Sequence, residues 1–366
     1  MKKYGDRIVG LDILRTIAIL LVVYLHGGLL LPHYFQSAYG QIVIIDGVSI
    51  FFVLSGFLIG RILLRIINDS DLTLVDVLNF WIRRWFRTIP NYLFVLIGLL
   101  FLRIFIFKNL SNFSFLYFLF LQNFSGPQPN FFPEAWSLGV EEWFYLLFPI
   151  TCYILHKIFK YKSASILYSA LIFLIIPLTL RIIKYELGIG VNDIEEEFRK
   201  ITVLRLDSLM YGIVAAYVYS LKNILWFKYK MHLLCIGVGL MILMKLNASC
   251  HWISIYPPFS FNMESISILL VLPFFSELKT TRFENVDSFF VFISIISYSM
   301  YLLNLAPVIH HMIPLTNRLL GYKGLPVEDV FIHNYVLYWV YTILGSYLLY
   351  HFYEKRMTDL RERIKL

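Results

Sequence analysis

Charge is scarce in this sequence. Asp, Glu, Lys and Arg make up 15% of its 366 residues, against roughly 25% in soluble domains. With 59% of the residues apolar, a water-soluble globule is excluded and the solvent is a bilayer. Cysteine is scarcer still: Cys152, Cys235 and Cys250 stand at no metal-ligand or disulfide spacing and read as packing residues. No HxxH or HxxxH pair supports a metal site, so none is expected. His33, His251, His310, His311 and His333 fall in or beside connections and read as surface residues. Repeats, low-complexity stretches and long polar linkers are missing, and no segment outside the apolar runs is large enough to fold alone. Residues 1–366 therefore read as a single membrane-embedded domain with no appended soluble domain.

What is present is a succession of apolar runs near the 17 to 25 residues, or about 30 Å of helix, that a bilayer requires. They cover 8–30, 44–67, 89–107, 137–158, 164–184, 202–220, 231–247, 263–277, 289–311 and 331–353, which predicts an all-α, polytopic bundle of about ten transmembrane helices. The aromatic stretch 113–124 reads as an extra interfacial or re-entrant piece. Alternate connections carry 21 of the 32 lysines and arginines, including Arg7, Arg61, Arg65, Arg83, Lys157, Lys228, Lys279 and Lys355. The opposite set holds only Lys108, Arg199, Lys200, Arg318 and Lys323. By the positive-inside rule both termini are cytoplasmic, and MKKYGDR before the first run reads as the start of a retained signal anchor. The net charge of +8 is explained by the same loops, so no nucleic-acid partner is implied.

Against this background the polar residues inside the runs need an explanation, since a charge at the centre of a span costs at least about 2.5 kcal/mol. In LDILRTIAILLVVYLHGG, Arg15 and His26 are eleven residues apart, three helical turns plus roughly 20°, so they share one face. Asp12 precedes Arg15 by three and can pair with it. The same residues would equally serve to tie the first helix to its neighbours. DGVSIFFVLSGFLIG sets Ser55 among Gly56 and Gly60, small residues that suit close helix packing. FWIRRWFRTIP, on the flank before Pro90 and the third span, holds Arg84 and Arg87 one turn apart. Two guanidinium forks at that spacing grip a phosphate, or form a basic flank against anionic lipid. WSLGVEEWFYLLFP starts with Ser137 as a candidate helix cap and carries the adjacent acids Glu141 and Glu142. Arg205 and Asp207 open the sixth run and read as interface markers.

Taken in order, these segments resemble the acyltransferase family 3 integral-membrane enzymes over nearly the whole chain. GLDILRTIAILLVVYLHGG matches that family's arginine and histidine as Arg15 and His26. GVSIFFVLSGFLIG matches its second-helix signature, RRWFR its paired arginines as Arg84 and Arg87, and WSLGVEEWFYLLFP its segment with Trp136, Ser137, Glu141, Glu142, Phe144 and Tyr145. Fainter agreements occur at Arg205, Asp207, Gly212, Tyr298, Tyr301 and Glu354. Three positions depart: Ser49 where the family often has an acid, Asn304 where it often has a histidine, and no proline soon after Glu354.

The resemblance implies O-acylation of a cell-surface carbohydrate or glycolipid, such as lipopolysaccharide O-antigen or exopolysaccharide, in a bacterial plasma (inner) membrane. The implied donor is acetyl-CoA, whose phosphates Arg84 and Arg87 would hold, with Ser55, Trp136 and Ser137 along its path. Such a transfer needs a base for the hydroxyl and a partner for the developing carbonyl charge. His26 is the natural base, or itself a transient acyl carrier. Arg15 would set the local field with Asp12 holding it, and Glu141 or Glu142 would orient His26 or meet the acceptor. Two rival classes are a transporter or flippase of a glycolipid or small solute, with intramembrane charges along its path, and a lipid-binding helical scaffold.

Overall fold

The computed structural model describes residues 7–69, 71–159, 164–222, 224–250 and 257–360. Lys2, Lys3, Lys160, Lys162, Arg361, Arg363, Lys365 and His251 of the sequence reading lie outside them, as does the side chain of Cys250. The helices that carry the argument are α1 (Val9–Gly27), α2 (Gly47–Asp69), α3 (Leu74–Phe101), α4 (Ala135–Ile158), α5 (Ala164–Glu186), α6 (Ser208–Ser220), α7 (Lys230–Cys250), α8 (Pro257–Glu277), α9 (Glu284–Leu303) and α10 (Val327–Leu349). No strand occurs among the described residues. The protein is an all-helical, multi-pass integral membrane protein.

Eight helical segments of the described residues are long and apolar enough to cross a bilayer: Val9–Leu30, Gly47–Asp69, Leu74–Ile106, Ala135–Ile158, Ala164–Glu186, Lys230–Asn247, Pro257–Glu277 and Glu284–Leu319. Two expected spans do not meet that measure. The run 202–220 yields only 13 residues of α-helix, because the backbone turns tightly over Thr202–Leu204 before α6 begins. The run 331–353 forms the 23-residue α10, but its tyrosines, Trp339, His333 and Asn334 dilute its apolarity. The third span differs in the other direction. Thr73 and Asp76 form a reciprocal capping box at the start of α3, and the helix then runs unbroken through Pro90. Arg84 and Arg87 therefore sit in the middle of a continuous helix rather than in a flank ahead of one. The run at 263–277 also starts earlier than expected, at Pro257. The aromatic stretch at 113–124 contains a short 3₁₀ helix, Phe115–Leu119, with Phe115 exposed and Tyr117 buried.

Close packing follows the small residues. A Cβ on Gly56 would lie 1.9 Å from the Leu209 carbonyl oxygen, and one on Gly212 would lie 2.0 Å from that of Val53. These two glycines let the backbones of α2 and α6 touch, as expected of small residues at helix crossings in lipid. Helix α1 is held against α9 by Thr16, whose hydroxyl donates to the Phe290 carbonyl at 2.8 Å, and by Ser294, which donates to Asp12 at 2.6 Å.

Arg205 and Asp207 are not interface markers; both are buried. Asp207 takes a bidentate pair from Arg181 of α5 at 3.0 and 2.6 Å. Asn262 of α8 bonds to both members, so one ion pair joins α5, α6 and α8. A tight turn at the start of α6 delivers the carboxylate inward, which explains the interruption of the sixth run. Removing one partner of such a buried pair typically costs about 3–5 kcal/mol. Asp207→Ala should accordingly lower the thermal unfolding midpoint in detergent sharply, and Asp207→Ala combined with Arg181→Met should recover much of the loss.

Candidate active site

Two cavities meet inside the bundle. The smaller, about 90 Å³, is lined by Arg15 of α1, Ser55 of α2, Arg84 and Arg87 of α3, Glu141 and Tyr145 of α4, and Tyr298 of α9. Its polar groups are chained: the Ser55 hydroxyl lies 2.8 Å from the Tyr145 hydroxyl, which donates to Glu141 at 2.9 Å. The Arg84 guanidinium lies over the Tyr145 ring, 5.4 Å from its centroid. Three guanidinium groups thus share a narrow, aromatic-walled space, an arrangement suited to an anionic ligand with a slim apolar arm.

The larger cavity, about 540 Å³, is lined by His26, Asp46, Glu134, Trp136, Arg199, Lys200 and Glu264 among others. It lies within the usual range for small-molecule sites. Val48 and Tyr301 line both cavities. The Tyr301 hydroxyl donates to the Glu134 carbonyl at 3.0 Å and takes the Ser137 hydroxyl at 2.6 Å, which holds this ring in the wall the two cavities share.

His26 reaches the larger cavity from the last turn of α1. Its Nδ1 lies 2.5 Å from Oδ1 of Asn304. Asn304 stands where α9 passes into a π-helical stretch, Asn304–Met312, containing Pro307. Such widened turns free backbone groups for other partners. Here the freed Ala306 amide donates to Glu134 at 2.9 Å, leaving Oε2 of Glu134 buried and unpartnered among the described residues. Burial pushes the Glu134 carboxyl up to about 8.

Asp46 caps α2 by accepting from the Val48 and Ser49 amides at 3.2 and 3.1 Å and pairs with Arg199 at 2.9 Å. Burial opposes ionisation of Asp46, but Arg199 and the cap bonds outweigh it and hold its carboxyl below the ordinary range. Arg199 in turn lies over the Trp136 ring at 4.6 Å. Ser49 donates its hydroxyl between Asp46 at 3.1 Å and Glu264 at 2.9 Å. Two carboxylates therefore gather at Ser49.

The expected site residues divide accordingly. Arg15, Arg84, Arg87, Ser55, Ser137 and Glu141 line the smaller cavity, and His26 and Trp136 the larger. Asp12 and Glu142 line neither. The partner of Asp12 is chiefly Arg7, at 2.8 Å and 3.1 Å, with Arg15 farther off at 3.7 Å, because Arg15 turns toward Ser294 and the cavity. Ser137 does not cap α4, which starts two residues earlier; its hydroxyl is spent on Tyr301. His311 is not a surface residue but is buried, with Nδ1 2.6 Å from the Ala306 carbonyl. Gly139 earns its place in the WSLGVEEW segment because a Cβ there would sit 2.6 Å from Asn123 Oδ1. Asp46, Glu134, Arg199, Glu264 and Asn304 were not singled out as site residues. Asp46 was legible as an acid immediately before the second span. Glu134 and Arg199 lie in connections whose folding back the pattern did not announce.

The family of the chain follows from its similarity to known proteins. The acyltransferase-3 family, described as an acyltransferase domain, matches residues 8–351, and the chain belongs to it. It is 28% identical to the O-acetyltransferase OatA of Staphylococcus aureus (strain NCTC 8325 / PS 47) over 276 residues, 67% of this chain and 41% of that protein. It is 32% identical to the peptidoglycan O-acetyltransferase OatA of Listeria monocytogenes serovar 1/2a over 154 residues, 38% of this chain and 23% of that protein. Over 159 residues it is 34% identical to the putative peptidoglycan O-acetyltransferase YrhL of Bacillus subtilis (strain 168), again 38% of this chain and 23% of that protein. The chain thus matches less than half the length of these relatives. No solved structure matches it.

The raised carboxyl of Glu134 makes a prediction about pH. Between the ordinary carboxyl value of 4.5 and about 8 the folded protein holds a proton that the unfolded chain releases, so this group's contribution to stability falls as pH rises through that window. The limiting slope is about 1.4 kcal/mol per pH unit. Glu134→Gln should flatten the fall in unfolding midpoint between pH 5 and 8, measured in one detergent; an unchanged slope would assign it to other groups.

Proposed function

We propose that the protein is a membrane O-acetyltransferase that moves an acetyl group from a cytoplasmic acyl-CoA to a hydroxyl of a cell-surface glycan. The observation that carries this reading is the shared wall: His26 occupies a roomy polar cavity separated by Tyr301 and Val48 from a narrow cavity ringed by three arginines. A cavity of about 90 Å³ suits a slim pantetheine arm better than a nucleotide. On this reading Arg15, Arg84 and Arg87 hold the donor's phosphates, and Ser55 and Ser137 border the arm.

The glycan hydroxyl occupies the His26 cavity, where Trp136, Arg199, Asp46 and Glu134 supply the polar and aromatic contacts a sugar requires. His26 takes the hydroxyl proton as the oxygen attacks the thioester carbonyl; the C–S bond breaks and the departing thiolate recovers that proton. A transient acyl-histidine divides the same transfer into two steps. Two of the relatives are named for peptidoglycan, and an acceptor of that class fits the site as well as lipopolysaccharide or exopolysaccharide. Residues 1–366 act as one membrane-embedded domain of the bacterial plasma membrane, with both termini in the cytoplasm.

His26→Ala should abolish ester-linked acetate on the host's surface glycan while the protein inserts at normal abundance; near-normal acetate would refute the assignment. General base catalysis contributes about 10²–10⁴ in rate, so the loss should exceed any effect of reduced expression. Arg84→Ala with Arg87→Ala should raise the acyl-CoA concentration needed for half-maximal transfer by about tenfold or more, one charge-assisted bond being worth about 1.5–3 kcal/mol. An unchanged requirement would return the pair to a lipid-binding role. Solute transport into proteoliposomes without any acyl donor would favour a transporter.

A further inference from the structure

We propose that Asn304 is a positioning residue that fixes the proton of His26 on Nδ1, so that Nε2 is the nitrogen presented to the cavity. The proposal deepens the reading of His26 as the reacting group. It begins with the amide, whose orientation is decided by its own helix. The two Nδ2 hydrogens of Asn304 are spent on the carbonyls of Met300 at 3.0 Å and Tyr301 at 2.8 Å. Flipping the amide would aim Oδ1 at two carbonyl oxygens and forfeit both bonds.

Oδ1 therefore faces His26, and an amide oxygen only accepts. A bare lone pair on Nδ1 at 2.5 Å from it would be repulsive, so Nδ1 carries the hydrogen. The remaining polar neighbour conforms: Tyr338 approaches Oδ1 at 3.5 Å, but its hydroxyl hydrogen goes to the Val23 carbonyl at 2.8 Å. Nε2 has no hydrogen-bond partner among the described residues, and its ring lines the cavity. The charged and titratable groups around that ring are Asp46, Arg199, Lys200 and, beyond them, His310. None of them is hydrogen-bonded to Nδ1.

Asparagine does not titrate, so the direction of this hydrogen bond is independent of pH. Base and acyl-carrier mechanisms alike need a lone pair on the nitrogen that faces the substrate, and the arrangement supplies it at Nε2.

The test reads the tautomer without turnover. The full-length protein, labelled with ring-¹⁵N histidine and held in detergent or nanodiscs, is compared with His26→Asn; the signals lost belong to His26. A neutral ring protonated at Nδ1 and bare at Nε2 is expected, and a ring protonated at Nε2 alone overturns the proposal. In Asn304→Leu, checked for a native unfolding profile, the Nδ1-protonated form should give way to the other tautomer or a mixture, whereas Asn304→Asp, which keeps an acceptor, should retain a proton on Nδ1. An unaltered tautomer in Asn304→Leu also overturns the proposal. With that tautomer lost, kcat should fall about tenfold or more at an unchanged donor KM, a wrong tautomer in a serine-protease triad costing up to about 10⁴. Full acylation by His26→Ala would count against the catalytic reading and leave the tautomer result standing.

Discussion

A charge moved out of water needs either a partner or a wet cavity, and in a bundle surrounded by lipid this requirement separates the ionisable side chains that pair from those that border a cavity. Arg181 and Asp207 meet it with each other and with Asn262. Asp12 meets it with Arg7 and Ser294. Arg15, Arg84, Arg87 and Glu141 meet it by bordering a cavity, and that difference separates residues that hold the bundle together from residues that can address a ligand. Burial alone does not: Arg205 is as deeply buried as Arg181, yet its contacts are Ser49 and the rings of Phe52 and Phe261.

Much of this could be read from the chain. Long apolar runs with few charges leave no alternative to membrane helices, and Arg15 and His26 are brought to one face by helical periodicity alone. The helix-packing role of Gly56 was equally legible, since only a missing side chain lets α2 approach the Leu209 carbonyl. What escaped was whatever depends on the chain leaving a regular helix. The late start of the sixth helix after Arg205 and Asp207, the π-helical stretch after Asn304 and the return of the 195–200 segment over Trp136 have no periodic signature. Each is set by a tertiary partner: Arg181, Glu134 and Asp46 respectively. The expected third span begins at 89, beside Pro90; the helix instead starts at the Thr73 cap and carries that proline in its interior.

Ser49 and Asn304 each hydrogen-bond to residues that line the same cavity. Ser49 lacks a carboxylate of its own but sits between those of Asp46 and Glu264, so the local negative charge is supplied from a loop and from α8. Asn304 meets His26 with an amide whose direction is fixed by its own helix.

Tyr301 has one further implication. An enzyme that conveys a group between the two faces of an energised membrane must do so without creating a leak for protons and ions. With its hydroxyl tied to Ser137 and the Glu134 carbonyl, this ring borders both compartments together with Val48. On the proposed reading, the seal that preserves the ion gradient and the door through which the acyl group passes are built from the same two side chains.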